Sequence, residues 1–89
     1  MQKFVIERNI KGIGDYSPDK LEEITRKVQA ALKNFAGRLY WHESFLTKDK
    51  VFTIVIAADE ATVREYSKAV DLPADNVHPV IRVVDPSTE

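Results

Sequence analysis

Residues 40–45, YWHESF, bring together a tyrosine, a tryptophan, a histidine and a glutamate. A neutral imidazole accepts protons and binds metals, and a carboxylate removed from water can act as a general base. His42 beside Glu43 therefore suggests a catalytic pair or a metal site. Neighbours in a regular strand point to opposite faces of the sheet, however, so these two side chains share a site only if a β-bulge interrupts the strand.

Other residues that could form a functional site show weaker sequence patterns. His42 and His78 are far apart in sequence and lack metal-site spacing, and His78 is expected at the surface. The GIG segment at 12–14 lacks the remainder of a phosphate-binding loop and indicates a turn. Arg8 and Arg82 belong to the first and last predicted strands, where they could together present positive charge to an anionic ligand. An ion pair with Glu7 is the simpler expectation for them.

Composition excludes several classes of protein. The chain has 89 residues, which predicts one domain over 1–89, and it has no cysteine, which excludes iron–sulfur clusters and thiolate zinc sites. Its 13 basic and 14 acidic residues are scattered, so no basic surface for nucleic acid is expected. The absence of a long apolar run and of a signal-peptide pattern predicts a cytoplasmic protein that does not bind membranes.

Periodicity and capping residues predict the order β-α-β-β-α-β. Ser17 and Asp59 are the predicted N-caps of the two helices, and Pro79 places the last strand at a sheet edge because proline cannot donate to the ladder. This order most simply gives an α+β ferredoxin-like fold, with a four-stranded antiparallel sheet and both helices on one face. The strands are predicted over 3–10, 38–47, 50–58 and 76–84, with one helix from 17 to Gly37 and a shorter one between Asp59 and Pro73.

The third predicted strand, KVFTIVIAA, is apolar on both faces. An antiparallel strand with one face in water should instead alternate apolar and polar residues. We therefore expect a second copy of the chain to cover the sheet face that the helices leave open. The result would be a homodimer with α+β-barrel-like packing.

The turn between the second and third strands sets their register. A two-residue turn at 48–49 would pair Ser44 with Thr53 and His42 with Val55. One face of the hairpin then carries four residues that we predict to line a ligand cavity between subunits: Tyr40, His42, Ser44 and Thr53. The other face carries the large apolar residues that we expect to pack under the helices: Trp41, Phe45, Phe52, Ile54 and Ile56.

Five segments cover most of the chain in a fixed order: KFVIERNI, W-x-x-S-F-L-T-x-D-K, IAADEATVREYSKA, LPADNV and VVDP. Together they resemble a family of small bacterial proteins of unknown function, one of which is described as a nickel-binding protein. The resemblance implies a ferredoxin-like fold, a dimer and a divalent metal such as nickel. Members often carry histidine, cysteine and histidine where this chain has Glu43, Thr53 and Tyr66. By position, the resemblance makes Glu43 and Tyr66 candidate metal ligands here, and His42 is a third candidate that substitutes from the position next to Glu43. Nickel nevertheless favours imidazole and thiolate over carboxylate, hydroxyl and phenol.

These observations favour a non-enzymatic homodimer that binds a small ligand or a metal ion of the nickel type, with no catalytic residue. The alternative is a small dimeric α+β-barrel enzyme, of the isomerase or cofactor-free monooxygenase type, in which His42 or Glu43 transfers a proton. A purely structural or interaction module is the third interpretation.

Overall fold

The computed structural model describes residues 1–88 and contains a four-stranded antiparallel sheet with the strand order β2-β3-β1-β4. Both helices pack on one face of this sheet, which confirms the predicted ferredoxin-like α+β fold. No helix in the described part of the chain is both long and apolar enough to cross a membrane. The elements are β1 (Gln2–Asn9), α1 (Pro18–Leu32), β2 (Leu39–Leu46), β3 (Lys50–Ala57), α2 (Glu60–Ala69) and β4 (Asn76–Pro79).

Helix α1 begins where its capping residues predict. The Ser17 hydroxyl accepts a hydrogen bond from the Lys20 backbone N–H at 3.1 Å, and Pro18 occupies the first turn, where its missing N–H costs nothing. After Leu32 the chain tightens into a 3-10 turn over Lys33–Phe35 instead of continuing as a regular helix. That turn brings the buried Phe35 ring edge-on to Tyr66 of α2, with the ring centroids 5.9 Å apart.

Helix α2 is capped by the predicted residue, Asp59. Its Oδ1 accepts hydrogen bonds from the Thr62 backbone N–H at 2.8 Å and from the Thr62 hydroxyl at 2.7 Å. These bonds favour the charged form and lower the pKa of Asp59. Glu60 and Arg64 form the expected i,i+4 ion pair at 3.0 Å on the exposed side.

Strand β4 is shorter than the prediction, which extended it to residue 84. Pro79 pairs with Phe4, and the Val80 N–H still bonds to the Lys3 carbonyl at 2.9 Å. Beyond that point β1 has almost no residues left to pair with, because it begins at Gln2. The strand therefore ends for lack of a partner, although Pro79 lies on an edge strand as predicted.

The connection between β1 and α1 packs against the β2–β3 turn. The Gly14 N–H donates to the Lys48 carbonyl at 3.1 Å, and a Cβ on Gly14 would lie only 2.8 Å from the Thr47 carbonyl oxygen. Only glycine allows so close an approach. The contact holds the 3-10 turn Ile13–Asp15 and its buried Ile13 over one end of the sheet, so the GIG segment is a turn, as predicted.

The core forms between the helices and one face of the sheet. Its buried members are Phe4, Ile6, Val28, Phe35, Leu39, Val55, Ala57, Val63, Tyr66 and Val70. The odd-numbered residues of β3 point into this core, so the prediction that Phe52, Ile54 and Ile56 pack under the helices is wrong. Those three half-buried residues lie on the opposite face, which we call the open face.

Candidate functional site

A β-bulge interrupts β2 at His42. Ser44 pairs with Thr53, as the two-residue turn predicts, but Trp41 and not His42 lies opposite Val55. The register shifts by one residue between Trp41 and Glu43, which leaves His42 as the extra residue. The predicted pairing of His42 with Val55 is therefore wrong, and Trp41 joins Ser44 on the helix-facing side of the sheet.

The bulge brings His42 and Glu43 close together. His42 Nε2 lies 4.0 Å from Glu43 Oε1, which a regular strand would not allow. Their side chains are 59% and 53% exposed on an edge strand, so water surrounds both groups. Removal from water makes a carboxylate a stronger base, and the Glu43 carboxylate lies in water instead.

The four residues predicted to line one cavity do not share a face. Tyr40 pairs with Ile56 on the open face and is 55% exposed. Ser44 and Thr53 lie beneath the helices, with Thr53 buried. His42 is at the exposed bulge, so only Ser44 and Thr53 are brought together.

A cavity of about 280 Å³ lies between α1 and the helix-facing side of the sheet. Eight of its lining residues are isoleucine, leucine or valine, contributed by the sheet, α1, the β1–α1 connection and the segment after α2. Leu46 lines the cavity while being 41% exposed, which places it at the rim. The polar or aromatic lining residues are Arg8, Thr25, Trp41, Ser44, Thr53 and Tyr66.

A hydrogen-bonded chain of three side chains forms one wall of this cavity. The Trp41 indole N–H donates to the Ser44 hydroxyl at 3.0 Å, and the Ser44 and Thr53 hydroxyl oxygens are 2.9 Å apart. The cross-strand pairing of Ser44 with Thr53 holds the two hydroxyls together. This arrangement presents hydroxyl groups of fixed position on an otherwise apolar surface.

Arg8 is the residue of this cavity that sequence reasoning assigned elsewhere. It is 1% exposed, and its Nη1 donates to the Ser67 hydroxyl at 3.1 Å and to the Pro73 carbonyl at 2.8 Å. Burial lowers the pKa of Arg8, yet a guanidinium stays protonated in proteins because its ordinary pKa is so high. The signal in the sequence was the alternation of Phe4, Ile6 and Arg8, which places all three on the helix-facing side.

The predicted partners of Arg8 lie elsewhere. Glu7 points to the open face, where its carboxylate contacts Lys50 Nζ at 2.9 Å and His78 Nε2 at 3.3 Å. These two hydrogen bonds lower the pKa of Glu7, with Lys50 the larger cause. Arg82 follows the end of β4 near the start of β1, at the opposite end of the sheet from Arg8. The expectation that Arg8 and Arg82 neighbour each other, or that Arg8 pairs with Glu7, is therefore wrong.

The candidate metal ligands are not brought together. Tyr66 is buried on α2 and lines the cavity, whereas His42 and Glu43 are exposed on β2. The phenol of Tyr66 is protonated near neutral pH because its ordinary pKa is 10.0, and burial raises that pKa further. Within residues 1–88, no three histidine, cysteine or carboxylate side chains lie close enough to hold a metal ion. The cavity offers hydroxyl and phenol groups beside the Arg8 cation, and this donor set does not fit nickel.

Comparison with known proteins adds a family and a fold. Residues 4–80 match the family described as "Nickel responsive protein SCO4226-like". The crystal structure of SCO4226 from Streptomyces coelicolor A3(2) is similar to this chain with a TM-score of 0.76 and 14% sequence identity, covering 92% of this chain and 99% of that one. Such low identity establishes the shared fold alone, and no curated protein matches this sequence. Because the family match spans most of the sequence, the chain belongs to the SCO4226-like family of nickel responsive proteins.

Proposed function

We propose that this protein is a non-enzymatic binding protein that takes a small molecule into the cavity between α1 and the sheet. The observation that carries the proposal is the cavity itself, at about 280 Å³. Ligand pockets are typically ~300–1,000 Å³ and mostly apolar, with a few polar groups of fixed position. The lining of this cavity has that character, and its size, near the lower limit, selects a small ligand.

We further propose that the protein acts as a homodimer through its open face. Tyr40 and Phe45 are 55% and 53% exposed there, beside the half-buried Phe52, Ile54 and Ile56. Contiguous exposed apolar patches on soluble proteins usually mark interaction sites. In this arrangement the ligand cavity belongs to each subunit, on the far side of the sheet from the dimer contact, and does not lie between subunits.

Nickel association is the second candidate function, and the description of the family supports it. The specific observation in this chain is the proximity of His42 Nε2 and Glu43 Oε1 at the bulge, 4.0 Å apart. Imidazole and carboxylate both bind divalent metals, and exposed side chains can rotate to do so. Two donors make a weak site, so a tighter one would need ligands from a partner subunit.

A nuclear magnetic resonance titration with hexan-1-ol tests the cavity. In the unmodified protein we expect saturable shifts at the backbone amides of Thr25, Ser44 and Thr53, which line the cavity. Replacing Val28, a buried lining residue, with phenylalanine fills part of the space and should weaken these shifts. The matched control is Gln29→Phe, at the adjacent exposed position on α1, which should leave them unchanged.

Two outcomes of this titration would contradict the proposal. One is the absence of saturable shifts at millimolar alcohol. The other is a set of shifts confined to Phe52 and Ile54 on the open face, which would indicate nonspecific contact with the exposed apolar patch. Overpacking at Val28 costs ~1–3 kcal/mol in typical cores, so amide dispersion must first show that the variant is folded.

A further inference from the structure

The cavity contains a buried positive charge without a contacting negative one. Arg8 is 1% exposed, and within residues 1–88 no carboxylate oxygen lies within 4.0 Å of its guanidinium. Asp75 is near enough for its charge to favour the protonated form of Arg8, but its carboxylate accepts the Asn9 backbone N–H at 2.6 Å. A buried charge is normally paired, because removal from water costs free energy that only a counter-charge or strong hydrogen bonds restore.

The hydrogen bonds of Arg8 leave part of its guanidinium available. Both bonds that it donates come from Nη1, to Ser67 and to the Pro73 carbonyl. These two partners, one on α2 and one in the segment after it, fix the plane of the group. Nε and Nη2 donate to no group among the described residues, and together they form the fork that matches the two oxygens of a carboxylate.

The remainder of the lining specifies the body of the ligand. Among residues 1–88 no acidic side chain lines the cavity, so none of them repels an anion there. Tyr66 lines it beside Arg8, and its phenol can donate a hydrogen bond. The other walls are aliphatic, apart from Thr25 and the chain of Trp41, Ser44 and Thr53. The single positive charge of Arg8 balances a monoanion and not a dianion such as phosphate, and the aliphatic walls are complementary to an apolar tail.

We propose that this cavity binds a small carboxylate with an apolar body, and that Nε and Nη2 of Arg8 pair with the carboxylate oxygens. The inference deepens the proposed function, on which it rests, by naming the chemical class of the ligand. It also excludes a divalent metal ion as the ligand of this cavity, because the positive charge of Arg8 repels a cation there.

The test compares three six-carbon probes on the unmodified protein near pH 7: hexanoate, hexan-1-ol and hexylamine. We expect hexanoate to bind at least about tenfold more tightly than hexan-1-ol, since a charge-assisted bidentate pair is stronger than a neutral hydrogen bond. Hexylamine should bind most weakly. The Arg8 Nε–H resonance should shift with hexanoate and not with the alcohol, which locates the carboxylate without any substitution.

Variants of two arginines supply the second arm. Arg8→Met removes the charge while keeping a long apolar side chain, and it should reduce hexanoate affinity to that of hexan-1-ol or below. The control is Arg64→Met, at an exposed arginine of α2 that pairs with Glu60, which should leave the preference intact. If Arg8→Met does not fold, the comparison of probes on the unmodified protein still decides the question.

The outcomes separate the two proposals. Equal binding of hexanoate and hexan-1-ol in the cavity would overturn the carboxylate inference and leave the proposed small-molecule function standing. Tighter binding of hexylamine would also overturn the inference. If neither hexanoate nor hexan-1-ol binds at millimolar concentration, both proposals fail together.

Discussion

At the scale of single residues, the extra residue in β2 decides which side chains can act together. The shift after Trp41 directs that indole to the cavity wall, where it donates to Ser44. The same shift places His42 and Glu43 side by side in water. One bulge therefore separates a part-buried polar wall from an exposed imidazole–carboxylate pair. Bulges of this kind commonly re-aim side chains at sheet edges.

A nickel titration tests the role of this pair. If nickel binds at the bulge, the calorimetric heat should disappear in His42→Ala and fall in Glu43→Gln, because each variant removes one of only two donors. His78→Ala is the matched control, since His78 is equally exposed and already contacts Glu7 at 3.3 Å. Tyr66→Phe should also leave the heat unchanged, because Tyr66 is buried away from the pair. Heat that persists in His42→Ala, or no heat from the unmodified protein, would contradict nickel association at this position.

Residue-level predictions from sequence succeeded where local geometry determines the answer. The two-residue turn gave the Ser44–Thr53 pairing because loop length sets hairpin register. The bulge has no such marker, since no glycine or proline lies between residues 39 and 46. Arg8 was misassigned to an ion pair because its neighbour Glu7 has the opposite charge, although strand alternation sends the two side chains to opposite faces.

At the scale of elements, capping bonds define where the helices start, and Asp59 provides the clearest test. Asp59→Ala should lower the melting temperature by a few degrees near pH 7, because the first turn of α2 loses its side-chain acceptor. Asp59→Asn is the matched control and should lose less, since an amide oxygen still accepts from Thr62. Thermal unfolding followed by circular dichroism measures both.

The pH dependence of this cap has a definite sign. The pKa of Asp59 is lower in the folded protein than its ordinary value of 3.8, so the folded state prefers the ionised form. Its contribution is therefore complete above about pH 4 and is lost as pH falls through the folded pKa. The difference in melting temperature between the unmodified protein and Asp59→Ala should shrink below pH 4. A difference that is constant down to pH 2 would show that the charge of Asp59 plays no part.

Element boundaries were predictable wherever a side chain marks them. Ser17, Pro18 and Asp59 mark the helix starts, and each occupies the predicted position. The end of β4 has no local mark, because residues after Pro79 retain strand-like composition. Strand β4 ends because its neighbour β1 begins at that level of the sheet. Composition does not encode this tertiary arrangement.

At the scale of the whole molecule, the decisive unknown in the sequence was which face of the sheet the helices cover. Both faces of β3 are apolar, so periodicity alone does not choose between them. The helices cover the face carrying Val55 and the small Ala57, and leave the bulkier Phe52, Ile54 and Ile56 on the open face. This reversal moves the candidate ligand site from a space between subunits to the interior of one.

Because the helices leave Ile54 on the open face, a substitution at this residue tests the proposed dimer. Ile54 lies near the middle of that face, opposite Val5 on one side and Glu43 on the other. Ile54→Glu should convert a dimer into a monomer, because a charge buried at an apolar contact without a partner opposes association. Ala30→Glu, at an exposed position on α1, is the matched control and should remain dimeric. Size-exclusion chromatography with light scattering at micromolar concentration measures the mass of each.

The cavity provides an independent check that Ile54→Glu has not simply disturbed the fold. Ile54 does not line the cavity, which lies on the other side of the sheet. Its substitution should therefore abolish dimerisation while leaving the hexan-1-ol shifts at Thr25 and Thr53 intact. A dimeric Ile54→Glu variant, or an unmodified protein that is monomeric throughout, would contradict association through the open face. Loss of both properties together would instead indicate that Ile54→Glu disturbs the fold of the subunit.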